Sequence, residues 1–330
     1  MSSGEQGARP LPAPLRWQDA LSPEERRDLL ELDTWPGLRS LAINWGLVAS
    51  SFALVAWQPN PLTILIAVFI IGARQLGFAI LMHEAAHRTL LPNRRLNDWA
   101  GNWLAAYPIW ADTAPYRAYH LVHHAKTGSV EDPDLKLVEP FPISRASFAR
   151  KVMRDLIGST GLKQAKAVLL RDLGWTSRRT QRSRSARPDV GLHKLVPVAI
   201  TNGALVAVLT LLGHVELYAL WVVAWLTTYR LCTRIRSIAE HALAPDRGDP
   251  LKNTRTTLAS WWERLLIAPN FVNYHLEHHL LMTVPHYKLP RLHRLLRERG
   301  VLEHACVAPG YLAVLRAAAS TTRGSLSAEG

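Results

Sequence analysis

Histidines are the residues whose spacing most directly suggests chemistry, because eight of the 14 in this chain fall in three windows of five residues. On a helix, residues three or four positions apart share a face, so each window can direct its imidazole rings towards one point. Unpaired imidazoles are costly to bury, and such a face is useful when the ring nitrogens bind metal. The eight are His83 and His87 in HEAAH, His120, His123 and His124 in HLVHH, and His275, His278 and His279 in HLEHH.

The number and type of these ligands indicate two metal ions. Eight imidazoles exceed the shell of one ion, because zinc usually takes about four ligands and iron about six. Neutral nitrogen ligands suit iron better than calcium or magnesium, although ligand chemistry alone leaves copper and zinc open. The unclustered histidines are expected to have ordinary structural or surface roles: His193, His214, His286, His293 and His304.

The first window also permits a different reading, because HEAAH matches the H-E-x-x-H pattern of zinc proteases. In that reading Glu84 is the general base for attack of water on a peptide. A zinc protease site needs only one further ligand, so the protease hypothesis gives the histidines of the other two windows no function. A carboxylate that orients an imidazole is therefore the favoured role of Glu84.

Composition points to a membrane rather than to an aqueous domain. Of the 330 residues, 48% are hydrophobic and 20% charged, yet the formal net charge is +13. Twelve tryptophans are present, a residue that membrane interfaces favour. The two cysteines, Cys232 and Cys306, are too few for a disulfide framework or a cysteine-ligated iron–sulfur cluster.

Four apolar runs are long enough to cross a bilayer, which takes about 20 residues as a helix. Arg74 and Gln75 lie in the second run and are expected to point inward, since they are costly against lipid. The pattern predicts an all-α integral membrane protein with four transmembrane helices in two hairpins and a histidine-rich cap. The four runs are residues 38–57, 62–82, 195–213 and 215–231, while 99–110 and 258–268 are too short to span and are expected at the interface.

Charge asymmetry predicts the orientation. The hairpin links 58–61 and 213–216 contain no Lys or Arg, whereas 125–194 contains fifteen and 234–330 contains thirteen. By the positive-inside rule, both termini and the histidine cap are expected to be cytoplasmic. The basic tract 171–188 contains a single aromatic residue, Trp175, and no interleaved aromatic platform, which favours lipid headgroups over nucleic acid as its partner. The expected organisation is a cytosolic segment 1–37, a membrane domain 38–304 and a C-terminal tail 305–330, of which 317–330 is expected to be disordered.

Together the three windows and the four runs resemble the membrane fatty acid desaturase and hydroxylase superfamily. The resemblance extends from about residue 38 to residue 295. Three sequence segments near the histidine windows also resemble this superfamily: EDPDL at 131–135, RIRSIAEH at 234–241 and NYHLEHHLLMTVPHYKLPRLH at 273–293.

The resemblance implies a di-iron enzyme that uses O₂ to attack unactivated C–H bonds of a hydrophobic substrate. It also implies a ninth ligand, for which His241 is the matching position, whereas Ser237 stands where related desaturases have a water-binding Asn. Carboxylates are expected to accept imidazole N–H bonds, and Asn273 is a candidate polar site residue with helix capping as its alternative. The candidates around the ligands are Glu84, Asp132, Asp134, Glu240, Asn273 and Glu277.

Electrons are expected from a separate protein, because the sequence has no dinucleotide-binding glycine pattern and no cysteine cluster. A ferredoxin or cytochrome with its reductase is implied, and basic residues would attract an acidic donor. The expected reaction is desaturation of a fatty acyl chain or acyl lipid. Hydroxylation of a carotenoid, sphingolipid or alkane-like compound is the alternative, and a non-catalytic metal carrier is the rival from another class.

Overall fold

The structure, a computed structural model, describes residues 17–175 and 191–320, and its regular elements are almost all helical. The helices are α1 (Pro23–Leu30), α2 (Thr34–Trp57), α3 (Pro61–His87), α4 (Arg94–Ala100), α5 (Thr113–Lys126), α6 (Leu135–Val138), α7 (Arg145–Leu156), α8 (Ser159–Asp172), α9 (Leu195–Leu211), α10 (Tyr218–Leu226), α11 (Thr228–His241), α12 (Trp261–Leu266), α13 (His275–Leu280), α14 (Leu289–Glu298) and α15 (Tyr311–Ala318). Strands β1 (Thr256–Thr257) and β2 (Val307–Ala308) pair in parallel.

Helices α2 and α3 form a long hairpin that carries the first histidine window at its end. The Asn60 side chain accepts hydrogen bonds from the backbone N–H groups of Leu62 and Thr63, and Pro61 occupies the first turn of α3. α3 ends where Arg88 adopts a left-handed conformation, directly after His87. Within the described part of the chain, α2, α3 and residues 192–211, which contain α9, are long and apolar enough to cross a membrane.

The fourth predicted run does not form one long helix. Residues 215–217 form a 3₁₀ turn, and α10 has nine residues. The helix is interrupted at Thr227, whose φ of −117° and ψ of −87° are not helical. α11 then continues to His241 with alternating polar and apolar residues. Apolar composition alone did not reveal this break, because Thr227 differs little in character from its neighbours.

The two shorter apolar stretches form irregular helices. Residues Gly101–Ala106 form a π-helix that leads into a 3₁₀ turn at Tyr107–Ile109. The second stretch contains α12 followed by a 3₁₀ turn at Pro269–Phe271. Neither is a continuous helix long enough to span a bilayer.

The packed structure continues past residue 304, into the stretch expected to be the C-terminal tail. Tyr311, Val314 and Ala318 on α15 are fully or almost fully buried in a core cluster with Ile238 of α11. Their spacing of three and four residues gives α15 one apolar face. The basic tract 171–188 lies largely outside the described residues, as do positions 321–330.

The two polar residues in the α3 run point inward, as expected. Arg74 is 4% exposed and donates to Oδ1 of Asn44 and to the backbone oxygen of Leu265. Gln75 is fully buried and donates to the backbone oxygen of Trp221 at 2.9 Å. These bonds tie α3 to α2, α10 and the end of α12.

Close packing of α3 against α11 leads to a first prediction. A Cβ at Gly72 would lie 2.1 Å from Oγ1 of Thr228 and 2.7 Å from the backbone nitrogen of Tyr229. Gly72→Ala should therefore lower the free energy of unfolding by about 1–3 kcal/mol, seen as a lower melting temperature in detergent. Gly46→Ala on α2 is the control, because a Cβ there meets nothing within 4 Å. Equal melting temperatures for the two variants would contradict this packing.

Candidate metal centre

The nine histidines predicted as ligands gather into two adjacent groups. Within each group, one ring nitrogen from every member lies within 4.8 Å of the others. The first group consists of His83, His87, His120, His124 and His278, and the second of His123, His241, His275 and His279.

Helix geometry explains how one window serves both groups. On α5, His120 and His124 are four residues apart and face the first group, while His123 faces the second. α13 divides in the same way, with His278 in the first group and His275 and His279 in the second. The groups touch where the rings of His124 and His279 stack with centroids 4.2 Å apart.

The ring nitrogens inside the groups fit a metal better than they fit one another. Nε2 of His83, His87, His123 and His279 is buried without a hydrogen-bond partner among the described residues. Nε2 of His275 lies 2.8 Å from Nε2 of His241, and Nε2 of His278 lies 3.0 Å from Nε2 of His124. Two nitrogens bound to one ion at about 2.1 Å are at most about 4 Å apart, close to this spacing. The donor set therefore suits two transition-metal ions.

Electrostatics hold these rings in the neutral form that binds metal. Burial, reinforced by neighbouring imidazoles, lowers the pKa of His275, His278 and His279 well below the usual range. The same causes lower the pKa of His241, and lower that of His124 to about 3. A neutral imidazole keeps a lone pair available at physiological pH.

Glu84 forms the most extensive carboxylate contact with the first group. Its Oε1 lies 3.2 Å from Nδ1 of His83. Its Oε2 accepts 2.9 Å bonds from the backbone N–H of His286 and from Oγ1 of Thr89. The Nε2 of His286 in turn lies 2.8 Å from Oγ of Ser40 on α2. Glu84 therefore joins the end of α3 to a segment 202 residues later in the chain.

Asp132 makes the corresponding contact in the second group. Its Oδ1 lies 2.8 Å from Nδ1 of His123, and both residues are buried. Asp134 lies 3.7 Å from the same nitrogen, a longer contact. Glu240 lies 3.6 Å from Nδ1 of His275 and forms an ion pair with Arg236 at 2.6 Å. Burial raises the pKa of Glu240 to about 7, against the opposing effect of Arg236.

Two of the residues expected around the ligands have other partners. Glu277 is fully buried and bonds to Nδ1 of His293 at 2.6 Å and to the hydroxyl of Thr256, rather than to a ligand histidine. Asn273 donates to the backbone oxygen of Thr257 at 3.0 Å and ties α13 to β1 instead of capping the helix.

His286 and His293 have structural roles, since each is buried and bonds to a buried glutamate near the groups. Neither stands in a cluster, so spacing rules do not single them out. By contrast, His193 and His304 are exposed and His214 is half-buried, and all three lie outside both groups.

Comparison with known proteins gives a consistent result. The family model described as fatty acid desaturase matches residues 27–308. The dihydrorhizobitoxine desaturase of Bradyrhizobium elkanii is 31% identical over 83% of this chain and 79% of its own length. The beta-carotene ketolase of a Paracoccus species is 26% identical over 76% of this chain and 90% of its own length. The sn-1 acyl-lipid omega-3 desaturase (ferredoxin) of a Synechocystis species is 22% identical over 85% and 82%.

Proposed function

This chain belongs to the fatty acid desaturase family, and from that premise we propose that it is an O₂-dependent di-iron desaturase of a fatty acyl chain or acyl lipid. The observation that carries the proposal is the convergence of nine histidines from α3, α5, α11 and α13 into two neighbouring groups. Five would hold one iron and four the other. Bound iron would supply the O₂ chemistry that removal of hydrogen from an unactivated carbon requires.

The chain itself contributes ligand orientation. Where Nδ1 of His83 donates to Glu84 and Nδ1 of His123 donates to Asp132, Nε2 is left to bind metal. Those two Nε2 atoms are among the buried nitrogens without a hydrogen-bond partner in the described residues. The two carboxylates therefore select the tautomer of one ligand in each group.

Sharing of ligands between windows argues against the zinc protease. His83 and His87 of HEAAH lie with three histidines from α5 and α13, whereas a protease site needs one further ligand. Glu84 is already engaged with His83, Thr89 and His286 and is not directed at an open position.

Hydroxylation by the same centre is the second candidate, and the similarity to a beta-carotene ketolase favours it. Expression in a host that lacks the activity, followed by mass spectrometry of extracted lipids, separates the two reactions. A product two mass units lighter than its precursor supports desaturation. A gain of one oxygen supports hydroxylation and overturns the first choice. A metal carrier would bind iron without forming either product.

Electron supply is expected from a separate ferredoxin or cytochrome with its reductase, as the name of one relative includes ferredoxin. The excess of Lys and Arg favours an acidic donor. Product formation with added ferredoxin should then fall as ionic strength rises, because salt screens charge attraction. A rate independent of salt would contradict a charge-steered donor.

For the membrane arrangement we propose four crossings, with residues 215–231 as the broken fourth. Both termini and the metal centre would then lie on the cytoplasmic side. Single cysteines at positions 59 and 214, placed in a chain in which Cys232 and Cys306 are replaced by Ser, test this directly. They should react with an impermeant maleimide from outside intact cells, whereas a cysteine at position 130 should not. The reverse pattern would overturn the orientation.

A further inference from the structure

An apolar cavity of about 460 Å³ lies between α8, α9 and α10, away from the histidines. Its walls include Ala165 and Leu169 of α8, Val198 and Ala199 of α9, and Trp221 and Trp225 of α10. The polar side chains at its far end are satisfied, because the hydroxyl of Tyr218 donates to Oδ1 of Asn202 at 3.1 Å. The cavity thus offers a ligand an apolar surface.

Helix α9 is the least buried of the three long apolar helices. Only 6% of its most apolar stretch is buried, compared with 67% for the stretch in α3. Ala199, on the cavity wall, is itself exposed, so the cavity opens towards the side on which a bilayer would lie. An acyl chain in the cavity would give α9 the packing partner that the described protein does not supply.

One end of the cavity adjoins a cationic corner. The guanidinium of Arg230 lies 3.8 Å from the ring centroid of Trp225, and that ring lines the cavity. α8 crosses close to this point, since a Cβ at Gly161 would lie 2.2 Å from the backbone oxygen of Leu226. The charged group and the apolar wall therefore share Trp225.

Charge in this corner is unbalanced. Nε and Nη2 of Arg230 are buried without a hydrogen-bond partner among the described residues. Asp155 interacts with Arg230 electrostatically, but both of its carboxylate oxygens already accept hydrogen bonds from Arg234. A buried cation of this kind calls for an anion.

We propose that this cavity binds one acyl chain of an anionic phospholipid, whose phosphate lies against Arg230. Stacking on Trp225 fixes the guanidinium plane, and Arg230 as a whole is only half-buried, so the phosphate oxygens would meet the part of the guanidinium that stays open. The bound lipid holds α9 against α8 and α10. This site is separate from the metal groups and does not depend on which reaction they catalyse.

Native mass spectrometry of the purified protein tests the site, with phosphatidylglycerol and phosphatidylcholine as probes. The wild type should retain one phosphatidylglycerol per chain. It should bind this lipid about tenfold more tightly than phosphatidylcholine, which is the affinity difference expected from one charge-assisted hydrogen bond. Arg230→Gln should lose this preference, and Arg230→Lys should keep part of it. Arg95→Gln, at an exposed arginine of α4, is the charge control.

Filling the cavity gives the second arm of the test. Ala199→Trp should abolish retention of the lipid and remove the rise in melting temperature that phosphatidylglycerol produces. Ala207→Trp is the matched control, because Ala207 is an exposed alanine of the same helix that does not line the cavity. The proposal is overturned if both tryptophan variants retain lipid equally, or if Arg230→Gln keeps the full preference. Protein stripped of metal should give the same result, which separates this site from the proposed oxidation.

Discussion

His278→Ala should remove product formation and lower the iron content of the purified protein. His278 is 3% exposed, its ring centroid lies 4.5 Å from that of His83, and its Nε2 lies 3.0 Å from Nε2 of His124. Loss of a partner around a ligand typically costs about 10- to 100-fold in metal affinity or activity, and loss of the ligand itself should cost more. Product analysis and metal analysis of the same preparation measure both effects.

His214→Ala is the control for this experiment. His214 is half-buried, lies in the link before α10 and pairs with Glu216. That variant should keep wild-type iron and product. If His278→Ala retained full activity, the first histidine group would not be a metal centre. If the wild type bound iron but formed no product, and His278→Ala lost that iron, the metal-carrier hypothesis would be favoured instead.

Glu84→Ala should be the most damaging change among the carboxylates. It removes the acceptor for Nδ1 of His83, for the backbone N–H of His286 and for the hydroxyl of Thr89. The Thr89 hydroxyl keeps the backbone oxygen of residue 84 as an acceptor, but the other two buried donors are left unpaired at about 1–3 kcal/mol each, so the melting temperature should fall. Iron affinity, measured by competition with a chelator, should fall by about 10- to 100-fold.

Asp132→Asn separates ligand orientation from general damage. Asp132 holds Nδ1 of His123 in the second group, in the last turn of α5 rather than at the junction of α3 with the C-terminal segment. This variant should weaken iron binding without the large loss of stability expected for Glu84→Ala. Unchanged chelator competition in both variants would contradict the role given to the carboxylates. Glu84→Gln with intact product formation would exclude the protease.

Much of the histidine arrangement could be predicted from the sequence, because the three- and four-residue spacings within the windows place their histidines close together. The division into five and four could not be predicted. It depends on the angles at which α3, α5, α11 and α13 meet, and no single window contains that information. His241 illustrates the point, since it stands alone in the sequence and reaches the second group only through the packing of α11.

The parts that were missed depend on contacts between distant residues or on one backbone angle. His286 and His293 are single histidines whose glutamate partners become evident only after folding. The break at Thr227 divides an apolar run that reads as one helix. α15 belongs to the core through its contacts with α11, although its sequence follows what appeared to be the end of the domain.

Iron stoichiometry of the active protein tests the central claim most directly. Protein purified from iron-supplemented cells should contain two irons per chain by plasma mass spectrometry, and product yield should follow the iron content as chelator is added. A preparation that forms product while holding no transition metal would contradict the account.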